Sequence, residues 1–266
     1  MPGLSPGKEV RPLTLTPKMF AIVCPLLFLA GFVDSIGGGG GLISLPAYIF
    51  AGLPMHAAIA TNKLSSACGT SLSTARFIRG GLVCWPVALP GVAAAVLGSA
   101  IGARLSLLAS ERLIRNVLFV VLPAAAFFVL NRKLFPDRES GPVKADRRTV
   151  TVCVIAALLV GMYDGFYGPG TGTFLIIAFT VFAKMGVSSA NAHTKVINLT
   201  TNITSLAVFL TGGQVVVPLG LAAAACNMLG NYVGSGLAMS KGAKITRPII
   251  LIVLALLLVK ILTEAV

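Results

Sequence analysis

The chain has 266 residues, of which 56% are hydrophobic and only 11% charged, with a mean hydropathy of +0.92. Soluble domains carry about a quarter charged residues, so there is too little polar side chain here to cover a compact surface in water. An ordinary soluble enzyme and a disordered chain are both excluded. The formal charge of +13 comes from basic residues in short gaps between apolar runs, the bias of cytoplasmic loops in membrane proteins. No aromatics interleave with them, so nucleic acid is not an expected partner; a lipid bilayer is.

The segment 1–18 is polar and basic and reads as a cytoplasmic leader to the first apolar run, Met19–Ile36. That run ends in Asp34 and five glycines rather than in a small-residue cleavage site, so a retained membrane helix is expected. Further runs of helical length are His56–Ile78, Leu82–Leu108, Ile114–Leu130, Thr149–Tyr167, Ser188–Leu210, Gln214–Met239 and Ile245–Leu262. A spanning helix needs about 20 apolar residues, which makes eight candidate spans. The charged linker 131–148 divides them into a first half, 19–130, and a second, 149–266. Two shorter apolar pieces, Leu42–Leu53 and Thr173–Met185, each follow a glycine-rich break and suit half-helices or re-entrant segments.

A shift of 132 residues aligns Thr61–Leu105 with His193–Leu237 without a gap, and 14 of the 45 positions are identical. Matched Lys63/Lys195, Pro86/Pro218 and Gly98/Gly230 are costly coincidences in apolar sequence. Upstream, Asp34 pairs with Asp164, and Gly37–Gly41 pairs with Gly168–Gly172. The expected fold is therefore two internal repeats of about four transmembrane helices, each with a Gly-rich broken or re-entrant half-helix. Such duplicated, interrupted segments are a transporter signature, with the site where the halves meet. Basic charge in both the leader and the linker favours an even number of crossings per half, hence parallel repeats; the absence of basic counterparts to Arg76 and Arg79 argues the other way. The pairs Gly98/Gly102 and Gly230/Gly234 read instead as close helix packing.

A glycine run entering a half-helix leaves backbone N–H groups without intrahelical partners, and a positive helix end suits an anion. Gly38, Gly39, Gly40 and Gly41 form one expected cradle, and Gly168, Gly170, Thr171 and Gly172 the other. Beyond each lies a polar stripe on one helical face. The first is Lys63, Ser66, Thr70 and Ser73, with Thr61 and Asn62 beside it; the second is Lys195, Asn198, Asn202 and Ser205, with Thr194. A lysine in the bilayer is costly and should face the protein interior, where it can hold an anion. Asp34 and Asp164 are intramembrane acids that can carry a proton, ligate sodium or neutralise the lysines, and His193 is a third candidate for coupling. The five cysteines lie in apolar stretches without metal-ligand spacing, so neither a metal site nor a cofactor is expected.

The segments DSIGGGGGLISLP (Asp34–Pro46), GLPMHAAIATNKL (Gly52–Leu64), GFYGPGTGTF (Gly165–Phe174) and NAHTKVINLTTN (Asn191–Asn202) resemble the TauE/SafE family of sulfite and organosulfonate exporters. The likeness runs from about Met19 to Leu262. It implies a non-enzymatic carrier of a small anion such as sulfite, sulfoacetate or a small organic acid, in a bacterial inner membrane. The family's motif positions fall on Asp34, Gly38–Gly41, Thr61, Asn62, Lys63, Asp164, Gly168, Gly170, Gly172, Thr194, Lys195, Asn198 and Asn202. Gly37 stands where the family pattern commonly has a small non-glycine residue. The alternatives are an anion channel and an intramembrane enzyme; no HExxH motif supports the latter. A homo-oligomer and coupling to a proton or sodium ion are both compatible with the sequence.

Overall fold

The computed structural model describes residues 15–110, 112–113 and 143–264; the expected span Ile114–Leu130, residues 1–14 of the leader and residues 131–142 of the linker lie outside the described residues. Among the described residues all regular structure is helical. The first half holds α1 (Pro17–Gly37), α2 (Gly41–Phe50), α3 (Met55–Arg79) and α4 (Trp85–Leu108). The second holds α5 (Arg147–Phe166), α6 (Thr171–Val181), α7 (Val187–Thr211), α8 (Val217–Lys241) and α9 (Ala243–Glu264). Helices α1, α4 and α8 each start with a proline in the first turn, where its missing N–H costs nothing. Helix α5 starts at Asp146, whose carboxylate accepts from the Thr149 amide at 2.8 Å.

Three of these helices, α1, α4 and α5, are long and apolar enough to cross a membrane, and α2 and α6 are short apolar helices. Helices α3 and α7 are 25 residues each, yet do not reach that apolar character. The reason is their buried polar face: Lys63, Thr70 and Ser73 on α3, Lys195, Asn198 and Asn202 on α7. They are wrapped by the apolar helices and meet each other at the centre, where the Thr74 hydroxyl donates to the Lys195 carbonyl at 3.0 Å.

Contacts along the helices set their directions. Helix α8 runs parallel to α3, touching it from Thr61 and Val216 at one end to Arg76 and Tyr232 at the other. It also runs parallel to α1, from Leu27 beside Asn227 to Ser35 beside Gly234. Helix α4 is likewise parallel to α5, from Gly91 beside Cys153 to Gly102 beside Met162 and Phe166, and to α7, from Cys84 beside His193 to Leu107 beside Gly212. The tight turn Gly80–Cys84 reverses the chain between α3 and α4. Helices α3 and α7, which occupy matching sequence positions, therefore run antiparallel. This reverses the expectation of an even count and parallel halves: α1 and α3 point the same way, so the stretch containing α2 returns the chain between them, and the stretch containing α6 does so between α5 and α7.

The small-residue pairs pack as their spacing predicts. A Cβ on Gly98 or Gly102 of α4 would strike the backbone of α5 at Leu158 and Met162. One on Gly230 or Gly234 of α8 would strike α1 at Phe28 and Phe32. In both places glycine lets two backbones approach where a larger residue would hold them apart.

Candidate functional site

The first break is shorter than the glycine run. Gly37 still belongs to α1 and Gly41 already to α2, leaving Gly38–Gly40 to turn the chain. Gly38 has φ +79°, and its N–H closes α1 by donating to the Asp34 carbonyl at 2.8 Å. In the second break Gly168 and Gly170 have φ +104° and +83°. L-residues with a side chain rarely adopt this region, which explains glycine there.

The two breaks touch. The Thr173 N–H donates to the Gly38 carbonyl at 3.3 Å, and its hydroxyl donates to the Gly37 carbonyl at 2.6 Å. A Cβ on Gly38 would overlap the backbone of Gly172 and Thr173, and one on Gly172 would lie 2.5 Å from the Gly38 Cα. The Asn191 amide adds a strap from α7, donating to the carbonyls of Ser35 and Ile36 at 3.1 and 3.2 Å.

The two lysines are paired across the halves. Lys63 Nζ of α3 lies 2.9 Å from Asp164 Oδ2 of α5, as an ion contact rather than an aligned hydrogen bond. Lys195 Nζ of α7 donates to Asp34 Oδ2 of α1 at 2.9 Å and also to the Asp34 carbonyl. Both lysines are buried, with 1% and 0% of the side chain exposed, which rules out snorkelling to a headgroup. A buried ammonium that keeps its charge needs such a partner. Asp34 Oδ1 faces the Gly40 N–H at 3.4 Å, while Asp164 Oδ1 accepts from the Thr171 hydroxyl at 2.8 Å.

Between the pairs lies a cavity with about 410 Å³ of empty space, including its open side. Its wall includes Asp34, Gly38, Gly40, Gly41, Asn62, Lys63, Ser66, Asp164, Gly168, Thr171, Gly172, Asn198 and Asn202. The space between these walls is narrow, holding little more than a water in this state. Several of the cradle N–H groups are already used: Leu42 donates to Gly39, Ile43 to Gly40, Thr171 to Gly168 and Thr173 to Gly38. Gly41 and Gly172, at the matching helix starts, line the cavity and their N–H groups have no acceptor among the described residues.

Other expected site residues stand back from this wall. Gly39 packs against Val253 of α9, Gly170 turns the chain into α6, and Thr194 is buried outside the cavity. Lys195 lies behind Asp34. Thr61 and His193, at matching positions, hold the opposite half: the Val216 N–H donates to Thr61 Oγ1 at 3.0 Å, and the Cys84 N–H to His193 Nε2 at 3.1 Å. His193 Nε2 is thus the acceptor, and Nδ1–H donates to the Ser189 carbonyl at 2.8 Å, which fixes a neutral ring away from the cavity. Two lining residues had no sequence signal, Ser44 and Asn227. The Ser44 hydroxyl is buried and has no hydrogen-bond partner, and Asn227 stands where the first half has Ala95.

The model of the sulfite exporter TauE/SafE family matches residues 23–261. A relative from Escherichia coli strain K12, named probable membrane transporter protein YfcA, is 37% identical over 255 residues, covering 94% of this chain and 92% of its own. The probable membrane transporter protein ORF9 of Sinorhizobium sp is 35% identical over 247 residues, covering 92% and 93%. A probable membrane transporter protein of Haemophilus influenzae is 33% identical over 243 residues, covering 88% and 91%. No solved structure matches the chain.

Proposed function

We propose, from the premise that this chain belongs to the TauE/SafE family and is a membrane transporter, that it is a secondary carrier of a small anion. The cargo class is sulfite, sulfoacetate or a related sulfonate or small organic acid, moved across a bacterial inner membrane. The observation that carries the reading is the crossed pairing of Lys63 with Asp164 and Lys195 with Asp34 around a cavity where two glycine breaks meet. Lysine, hydroxyl, amide and glycine N–H groups are the donors an anion needs when it leaves its water.

The two halves act as inverted copies of one unit, and rocking one against the other exposes the cavity to each side in turn. The tightness of the breaks favours a carrier over a channel, because touching backbones leave no continuous wet path. α2 and α6 serve as the half-helices whose starts face the cargo.

The test is purified protein in liposomes, preloaded with sulfite, sulfoacetate, sulfate or small carboxylates, with labelled exchange measured for each. Saturable counterflow with one of the sulfur oxyanions is the expected result. Linear, non-saturating flux would make the protein a channel, and no flux with any anion would defeat the reading.

A further inference from the structure

The charges around the cavity already balance. Among the described residues the ionisable groups of the wall are Asp34, Lys63 and Asp164, with Lys195 immediately behind Asp34. His193 is held neutral by its two backbone partners. Two carboxylates therefore stand against two ammonium groups, and all four are largely buried. An anion entering this site leaves one negative charge uncompensated in a desolvated place, which is prohibitive unless something neutralises it.

The pairs differ in which can open. Lys195 is held twice by Asp34, through the carboxylate and the carbonyl, and does not reach the cavity wall. Lys63 faces the cavity and has Asp164 as its ion partner. A Cβ on Gly168 would lie 3.1 Å from Lys63 Nζ and 3.0 Å from Asp164 Oδ1, so the glycine keeps open the approach to this pair.

The surroundings of Asp164 are arranged for a proton. The Thr171 hydroxyl lies 2.8 Å from Asp164 Oδ1 and 2.7 Å from the Gly168 carbonyl, two acceptors for one hydrogen. With a proton on Asp164 Oδ1 the conflict disappears: Asp164 donates to Thr171, and Thr171 donates to Gly168. Asp34 lacks any such relay, having instead the long contact to the Gly40 N–H.

We propose, resting on the carrier reading above, that each monoanion crosses together with one proton, which in the loaded cavity resides on Asp164. The anion takes the place of the Asp164 carboxylate on Lys63; the proton enters from the open side and leaves with the anion on the other. The other ionisable groups near Asp164 are Asp34 of α1 in the same wall, Lys195 and His193 of α7 with their partners given above, and Tyr163 and Tyr167 on its own stretch. The Tyr163 hydroxyl donates to the Pro169 carbonyl at 2.7 Å, and Tyr48 of α2 is bonded to Ser65. Helix α6 has no ionisable residue, and the one such residue of α4, Arg104, is exposed. A sodium ion finds few free ligands here, because both carboxylates are already engaged by the lysines.

The experiment uses the full chain in liposomes with methanesulfonate, a monoanion without a titrating proton near neutral pH, and with sulfite. Counterflow identifies the working probe; its absence with both, and with every other anion of the liposome screen above, defeats the carrier reading, independently of coupling. With the working monoanion, an acid-outside gradient of one pH unit is expected to accumulate the probe about tenfold, with no response to a potassium diffusion potential. Asp164→Asn should lose this accumulation, and Asp164→Glu should retain it. Thr171→Val removes the relay but no charge, and should slow the gradient-driven accumulation of the probe. Accumulation that follows the membrane potential or a sodium gradient, or an Asp164→Asn protein with the wild-type pH response, overturns the proposal. The wild-type gradient response decides it even where Asp164→Asn does not insert.

Discussion

Lys63 and Asp164 lie 2.9 Å apart although one belongs to the first half of the chain and the other to the second. Neither half completes its own ion pair. Removing one partner leaves an uncompensated buried charge, which costs about 3–5 kcal/mol, whereas removing both costs much less. Lys63→Ala should therefore lower the unfolding temperature in detergent more than the double variant Lys63→Ala/Asp164→Ala does. Both should transport at least about tenfold more slowly than wild type, a loss of 1.4 kcal/mol or more in barrier terms. Strict additivity of the two substitutions would show that the pair is not coupled.

The bonds from the Val216 N–H to Thr61 and from the Cys84 N–H to His193 hold each long polar helix to the turn of the other half. Thr61→Val leaves a backbone donor without its acceptor, at a cost of about 1–3 kcal/mol. His193→Phe should do the same at the matching place. Thermal unfolding measures the cost. Because the His193 ring is fixed away from the cavity, the pH midpoint of uptake in a His193→Gln protein should stay at the wild-type value; a displaced midpoint would return His193 to the coupling path.

Gly52 and Gly38 separate backbone strain from collision. Gly52 has φ +95° with nothing within 4 Å of an added Cβ, so Gly52→Ala should cost about 1–2 kcal/mol of strain and little transport. Gly38→Ala meets similar strain and also drives a methyl group into the Gly172 backbone. It should abolish uptake, and recovery of monodisperse protein in detergent should fall well below that of Gly52→Ala.

Gly102→Val forces α4 away from the α5 backbone, and Gly234→Val does so for α8 and α1. Overpacking of this kind costs about 1–3 kcal/mol, or more where the neighbour is backbone. Both variants should unfold at lower temperature. Among molecules that remain folded, the preference between sulfite and other anions should be unchanged, because neither glycine lines the cavity.

At the water-facing start of α5, hydrogen bonds from Thr149 hold the exposed Asp146 carboxyl below its usual value of 3.8. The folded state thus binds this proton less readily than the unfolded chain. Its stabilisation is present above pH 3.8 and is lost as pH falls through the lowered value. Asp146→Asn should flatten the acid limb of the stability curve in that window and leave the neutral region nearly unchanged, since asparagine also caps helices.

Much of the architecture was legible in the residues. The lengths of the apolar runs and the glycine breaks locate the described helices to within a few positions, and α2 and α6 emerge as short segments after each break. Lys63, Asn62 and Ser66 share a cavity with Asn198 and Asn202 because steps of three and four keep each stripe on one face. The crossed partners were not legible, because a pattern along one helix says nothing about which helix faces it. The direction of the halves was lost for a related reason: basic residues report a side only when the number of returns is known, and α2 and α6 each add one. Ser44 and Asn227 escaped because a search for matched positions passes over residues that occur in one half alone. Thr61 read as a binding residue and His193 as a coupling candidate for the opposite reason, since their matched places tie the halves together.

The contact between Gly38 and Gly172 has a mechanical consequence. With no side chain between them there is nothing compressible to absorb a displacement, so neither turn can shift without pushing its counterpart. The start of α2 and the start of α6 are then levers on a common fulcrum, and a movement that loosens one mouth of the cavity presses on the other. Under the carrier reading proposed above, such a protein is protected from leaking without a separate gate, because the same two touching turns would keep the two sides from opening together.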